Sequence, residues 1–444
     1  MNRIGILAGG GRLPLTIAES VTRRGGQVHI VGITGEADNG ITRYPHTWVN
    51  LGQVGRMVTT LRSEGGELVI AGSVRRPNLY KLRPDTSFFR SLPQILGLLA
   101  GGDDSVLSRV VRFFEANGLV VRGAHEVAPD LLVGEGALGA MALPPEARAD
   151  AAIGFAVRAA LGPLDAGQAV VVSGGKVLAI EGAEGTDAML ERVAQLRASG
   201  LGVNGSGVLA KGPKPGQELR VDMPAIGPRT VDLGVAAGLA GLALEAGGVL
   251  LLDRAEAIWA ANAKQFAVEG LPAGSVGSVA AYRDEASLTG RVMSRRRPGS
   301  RDRLDLEKGI VAVERLAPLG TGHGVVVASA YIVALAAAEA LPQMLLRVRA
   351  LRQWGVGERR RRGVLVCRAR TCEPETFASL LAQAAAQGLS GVAMAGAADE
   401  LAPLEDAGPA LADAEGLFLV SCHRPDMPAR PESSHPIAFR VHEQ

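Results

Sequence analysis

One feature narrows the folds open to this chain more than any other: its middle and its end read alike. Ala149-Asp150 through Leu161, Gly162 and on to Val172 reappears 155 positions later as Leu304-Asp305 through Leu316, Ala317 and on to Val327. The same spacing carries Glu184, Met189, Leu190, Arg192 and Val193 onto Glu339, Met344, Leu345, Arg347 and Val348. Gly207-Val208-Leu209 then matches Gly363-Val364-Leu365, and Gly238 to Gly241 matches Gly388 to Gly391. So many landmarks in one order make the C-terminal part a degenerate second copy of the middle, each copy one folding unit.

The 444 residues leave room for a third unit before the repeat, at roughly 150 residues per domain. There, short runs that are apolar throughout (Ile4 to Ala8, Val28 to Gly32, Leu68 to Gly72) alternate with helical stretches such as Pro14 to Arg23. Strands without an in–out alternation are buried on both faces, which calls for a parallel sheet covered by helices. The expected fold is therefore α/β: a Rossmann-like doubly wound domain over 1–135, an α/β domain over 145–275, and its degenerate repeat over 300–430.

The copies differ where charge is concentrated. Lys211 to Gly238 spans 27 positions, whereas Cys367 to Gly388 spans 21. The shortening falls in the stretch from Lys211 to Pro224, so Cys367 stands where copy one has Lys211, and Arg220-Val221-Asp222 has no counterpart. A fold can lose a loop and keep its core, but a site built on that loop goes with it. Copy one is the candidate for chemistry.

In that stretch Lys211, Lys214 and Arg220 offer cations for a polyphosphate, Asp222 offers a carboxylate, and Pro213, Pro215 and Pro224 stiffen the backbone. Phosphoanhydride hydrolysis asks for this kind of set: neutralised phosphate oxygens, a positioned water and usually a divalent metal. Thr186 and Asp187 stand before the amphipathic run Met189 to Leu196, either as caps of that helix or as part of an N-terminus facing a pyrophosphate. In the first domain, Gly9-Gly10-Gly11 lies between strand and helix, where glycines serve either a tight turn or a phosphate contact. Pro14 at the third glycine position, and no acid at the tip of the second strand, weaken a nicotinamide reading. Gly72-Ser73 ends another strand, Asp103 and Asp104 open a helix, and His125 follows a third strand end.

These motifs together resemble the LpxI family of UDP-2,3-diacylglucosamine pyrophosphatases. The resemblance rests on Gly5 to Pro14, Gly102-Asp-Asp-Ser, Gly123-Ala-His-Glu, Glu184-Gly-Thr-Asp-Ala-Met and Lys211 to Pro228, in order over about residues 1–275. It implies a magnesium-dependent phosphoanhydride hydrolase of lipid A biosynthesis that holds its lipid-linked UDP-sugar between two domains and yields UMP and a diacylated sugar 1-phosphate. The family's required carboxylate maps onto Asp222, also the candidate metal ligand. Gly9, Gly10, Gly72, Ser73, Asp104, His125, Thr186, Asp187, Lys211, Lys214 and Arg220 become substrate-binding candidates. Met223 and Ala225 depart from the family's usual Leu and Thr. The second copy is an addition whose expected roles are stabilisation, assembly with like chains, or cover for the acyl chains.

Composition sets the remaining expectations. With 47 basic and 45 acidic residues there is no broad field for nucleic acid. The basic clusters Arg295 to Arg303 and Arg359 to Arg362 read as solvated turns or as contact with the inner membrane surface. Three cysteines suit a reducing cytoplasm, although Cys367, Cys372 and Cys422 beside His423 also raise a zinc reading. Gly324 to Ala338 and Leu233 to Leu252 are too short or too broken to span a bilayer. The alternative to hydrolysis is a non-catalytic nucleotide-sugar or lipid binding protein descended from the enzyme.

Overall fold

The computed structural model describes residues 3–74, 103–200, 206–272, 289–351, 361–423 and 440–442. They group into two compact units, each assembled from separate stretches of chain.

The first unit holds Met1–Ala142, Gly216–Asp232 and Leu244–Ala273. Its centre is a five-stranded sheet of β1 (Arg3–Ala8), β2 (Gln27–Ile33), β3 (His46–Val49), β4 (Glu67–Ala71) and β5 (Val120–Arg122), in the order β3-β2-β1-β4-β5. Every neighbouring pair is parallel. Alternate residues of the apolar strands feed opposite faces. Ile6, Ile30 and Val69 pack with Leu15, Ile17 and Val21 of α1 (Leu13–Arg23). Leu7, Val31 and Leu68 pack with Met57 and Leu61 of α2 (Val54–Ser63) and with Phe114 of the helix Asp103–Ala116. This is the doubly wound sheet the sequence implies, with two strands beyond the three apolar runs: β5, which precedes His125, and β3, which is half-buried along most of its length.

The expected 145–275 boundary does not coincide with a compact unit, because Gly216–Asp232 and Leu244–Ala273 side with the N-terminal residues. The reason is apolar. Met223, Ala225 and Leu252 pack against the cluster of Ile4, Ile6 and Leu250, and Ala225-Ile226 pairs in parallel with Leu250-Leu251.

The second unit holds Leu143–Pro215, Leu233–Ala243 and Gly274–Gln444. In copy one the helix Pro145–Leu161 leads to the hairpin Ala169–Ser173/Lys176–Ile180, the helix Gly185–Ala198 and the strand Val208–Lys211. In copy two the helix Ser300–Leu316 leads to the hairpin Gly324–Ala328/Tyr331–Ala336, the helix Leu341–Leu351 and the strand Val364–Arg368. The second copy's sheet continues through Gly391–Gly396, Phe418–His423, Thr289–Val292 and Arg440–His442.

The repeat extends to fine detail. Both hairpins carry a register shift, between Val171 and Val172 and between Val326 and Val327. Asp150 accepts from the amides of Gly174 and Gly175, and Asp305 from those of Ser329 and Ala330. Asp165 and Gly320, again 155 apart, both sit in the left-handed region. The two copies share one apolar core in which Val157, Leu161 and Ile180 pack with Leu306, Leu316 and Leu335.

The apolar run Gly324 to Ala338 is mostly this hairpin, and Leu233 to Leu252 breaks into a helix end and two strands. No helix among the described residues is long and apolar enough to cross a membrane.

Candidate functional site

In the second unit the chemistry gathers on Lys211, at the end of its strand and only 5% exposed. Its ammonium donates to Thr186 Oγ1 at 2.6 Å, and that hydroxyl donates to Glu181 Oε1 at 3.1 Å. Glu181 is itself buried, and its Oε2 has no hydrogen-bond partner among the described residues. Burial pushes the Glu181 carboxyl up, against the pull of the Lys211 charge. A lysine, a hydroxyl and a carboxylate thus form a buried polar group in which one carboxylate oxygen has no partner among the described residues.

Thr186 and Asp187 do not cap their helix. The cap position is Glu184, without a side-chain cap bond, and Thr186 and Asp187 lie in the first turn. Thr186 is drawn into the lysine network instead, while Asp187 stands near the positive end of the helix dipole. The backbone after Lys211 is held from several sides. Arg158 donates to the Pro213 carbonyl, Pro215 lies against Gly162, and Lys214 is paired with Asp165 at 2.5 Å, both largely buried. Lys214 is therefore a fastening for the loop before it is a phosphate cation.

The first unit carries the carboxylate. A tight turn brings the amides of Val221 and Asp222 onto the Glu218 carbonyl, each at 3.1 Å. Gln217, buried at 8% exposure, donates its side-chain amide to Asp222 Oδ2. The other oxygen of half-buried Asp222 makes no hydrogen bond among the described residues. Pro224 and Ala225, two and three positions on, are stitched to Leu250, so the carboxylate hangs close to a strand that is part of the core.

Arg220, expected as a cation for substrate, is engaged by carboxylates of the protein itself. It grips Glu218 through Nε and Nη2 at 2.8 and 2.7 Å and reaches Glu115 at 2.8 Å. Those carboxylates raise its already high pKa, and Arg220 in turn lowers that of Glu218. With two carboxylates engaged, its charge is neutralised inside the protein, and it braces the Asp222 turn rather than offering a free cation.

The glycine loops also have a use other than phosphate cradling. They lie where β1 and β4 meet, the point at which the strand order reverses. Gly9 donates to Ala71 at 2.8 Å, and Gly10 and Ser73 exchange backbone bonds of 2.6 and 2.9 Å. A Cβ on Gly9 would stand 2.4 Å from the Ser73 carbonyl, and Gly72 has φ +88°. These glycines permit two loops to touch, and the amides of Gly9 and Gly10 are spent in doing so; Ser73 is exposed. Beside them Arg12 contacts Asp253 at 3.2 and 3.4 Å, and Asp253 holds φ +47°, a strained conformation for a residue with a side chain.

His125 sits in a one-turn helix after β5, with Nδ1 buried and unpartnered among the described residues. Asp104 lies in the first turn of the helix Asp103–Ala116, and its side chain is outside the described residues.

The zinc reading fails. Cys367 and Cys372 are 3.3 Å apart in one apolar cluster, while Cys422 belongs to another. Among the described residues no three His, Cys, Asp or Glu side chains converge as a metal cluster. Of the basic runs, Arg295 is 94% exposed beside Asp413, and Arg296 donates to the Gly416 carbonyl; Arg359 and Arg360 lie outside the described residues.

Sequence reasoning did not single out Glu181, Gln217, Arg12 or Asp253. For Glu181 a signal existed in the repeat itself, since the position 155 further on is Ala336.

Comparison with known proteins agrees with this division into one N-terminal and two related parts. Residues 3–131 match the LpxI N-terminal domain, and residues 134–269 and again 289–420 match the LpxI C-terminal domain. The UDP-2,3-diacylglucosamine pyrophosphatase LpxI of Caulobacter vibrioides is 42% identical over 265 residues, which are 59% of this chain and 95% of that protein. The chain therefore belongs to the LpxI family and carries its C-terminal domain twice.

Proposed function

We infer that this protein hydrolyses the pyrophosphate of UDP-2,3-diacylglucosamine to UMP and 2,3-diacylglucosamine 1-phosphate, a step of lipid A biosynthesis. The observation that carries the reading is the extent of the likeness to a pyrophosphatase of that substrate, covering 95% of its length. Asp222 and Lys211 are the residues assigned to the chemistry, and copy two keeps neither.

In the reaction a water oxygen attacks one phosphorus of the anhydride, the bond from that phosphorus to the bridging oxygen breaks, the leaving phosphate keeps that oxygen, and the water's proton passes by way of the Asp222 carboxylate to solvent. Asp222, with one oxygen fixed by Gln217 and the other unengaged, orients that water by accepting a hydrogen bond. Lys211, held by Thr186 and Glu181, neutralises charge that develops on the phosphate oxygens. The brace of Arg220 on Glu218 and Glu115 keeps the Asp222 turn from reorganising during the step.

Magnesium is part of this proposal. One carboxylate among few protein donors fits an ion that takes one or two carboxylates and fills its remaining positions with phosphate oxygens and water; Asp222 would hold it. The ion would supply further neutralisation of the phosphate oxygens. The cytoplasm, with peripheral contact at the inner membrane, is the proposed setting, because the substrate is lipid-linked.

The direct test is UMP release from UDP-2,3-diacylglucosamine by purified protein, with and without magnesium. Asp222→Ala should bind substrate and keep its circular dichroism spectrum while losing about 10³-fold or more in rate. Normal turnover by that variant would refute the mechanism, and no UMP from the parent protein would refute the function.

A further inference from the structure

The contacts between the two copies of the repeat obey a rule that ordinary domain packing does not. Ala183 donates its amide to the Val333 carbonyl at 3.1 Å, and Ala338 donates to the Leu178 carbonyl at 3.3 Å. Shift either bond by 155 positions and it becomes the other. Arg315 reaches the carbonyl of Ala160, its own counterpart, at 3.4 Å. The helices Pro145–Leu161 and Ser300–Leu316, which are counterparts, pack on each other, and so do the strands Lys176–Ile180 and Tyr331–Ala336. The shared core contains both members of the pairs Leu161/Leu316, Val172/Val327, Val177/Ile332 and Ile180/Leu335.

A surface in which residue i meets the counterpart of j, and j meets the counterpart of i, is isologous: it is generated by a two-fold axis and is the geometry of a homodimer. Its make-up fits a permanent association, since its centre is fully apolar. At its margin Glu339 is 2% exposed and bonded to both Arg192 of copy one and Arg347 of copy two. Two copies with no prior affinity would have no reason to dock reciprocally.

We propose that copy two stands in for a partner subunit: the face of copy one formed by Pro145–Leu161 and Lys176–Ile180 is a self-association surface, here covered within one chain. The protein is then a pseudo-dimer that works as a single chain. A member of the family with one C-terminal domain has the same face uncovered and pairs through it with a second copy of itself.

Light scattering at micromolar concentration tests both halves. The 444-residue protein should give the mass of one chain, 45.9 kDa, and the Caulobacter vibrioides protein, which has room for only one C-terminal domain, should give twice its chain mass. A stable dimer of the long chain, or a monomeric short one, would overturn the proposal. The axis gives a second test. A single cysteine placed in the short protein at the position aligned with Ala160 should link two chains through a short bismaleimide, and failure to link them would overturn the proposal as well. A failed hydrolysis assay would leave these readouts unchanged.

Discussion

Copy one and copy two have the same turn carboxylate, the same hairpin irregularity and the same arginine (Arg192, Arg347) donating to a hairpin carbonyl (Ile180, Leu335), yet one buried region differs completely. Glu181, Thr186 and Lys211 in copy one correspond to Ala336, Leu341 and Cys367 in copy two, all buried and all in a single apolar cluster. Burying charge is costly unless it is paired, and apolar replacements of similar volume are often neutral or stabilising. Copy two is what the fold becomes without the charged trio, so the fold does not need it. Copy one retains a lysine and a carboxylate at a position where packing alone favours neither, and this is the trio that the proposed mechanism assigns to the substrate.

The comparison can be broken by transplanting it. Giving copy one the residues of copy two, as Glu181→Ala, Thr186→Leu and Lys211→Cys together, should reduce UMP release by about 10³-fold while leaving the melting temperature level or higher. A triple variant that still turns over would make the trio a relic. The reverse change carries the next largest effect. Cys367→Lys puts an ammonium into the copy-two cluster with neither hydroxyl nor carboxylate to meet it, and should cost about 3 kcal/mol in denaturant unfolding. Adding Ala336→Glu and Leu341→Thr should recover part of that loss if the trio is a self-contained network.

How far the sequence could go is clear from the same residues. The parallel sheet was legible because Ile4 to Ala8, Val28 to Gly32 and Leu68 to Gly72 are apolar on both faces, whereas β3, with His46 and Thr47 half-buried, has no such signature. The repeat was legible because its landmarks keep one order, at a constant offset of 155 as far as Val193 and Val348. The carboxylates that engage Arg220 were not legible, because one of them, Glu115, lies 105 positions earlier, and local composition cannot show a partner at that separation. Gly9 was legible as part of a tight turn or a phosphate contact, and its close approach to the loop of Gly72 had no local signal. The Lys211 network was invisible for a related reason, since its three members are spread over 30 positions and meet only when strand and helix are in place.

A smaller effect tests the likeness rather than the difference. Asp150 and Asp305 each accept two amides of their hairpin turn. Asp150→Ala and Asp305→Ala should each destabilise by about 2 kcal/mol, since each removes a charged acceptor of two hairpin-turn amides. Equal losses would show that the turn has the same function in both copies. A markedly smaller loss at Asp305 would be the first sign that copy two tolerates disorder that copy one does not.

The smallest effect is a slope with pH, and it separates the copies by ionisation alone. Burial holds the Glu181 carboxyl above its ordinary value of 4.5. An acid whose folded pKa is raised binds its proton more tightly in the folded state. Its contribution to stability is complete below the ordinary value and fades as pH rises through the raised one. Glu181→Gln, uncharged throughout and still able to accept from Thr186, should therefore gain stability relative to the parent as pH rises across that window. The difference between the two proteins, read from urea unfolding at a series of pH values from 4 upwards (roughly the carboxylate range), should widen and then level off. Copy two has Ala336 at this position and nothing to titrate, so Ala336→Gln should give no such divergence. A flat difference for Glu181→Gln would mean that Lys211 compensates the buried carboxylate in full. The trio would then be a closed ion pair with no charge left over for a phosphate, and Lys211 would lose its place in the mechanism.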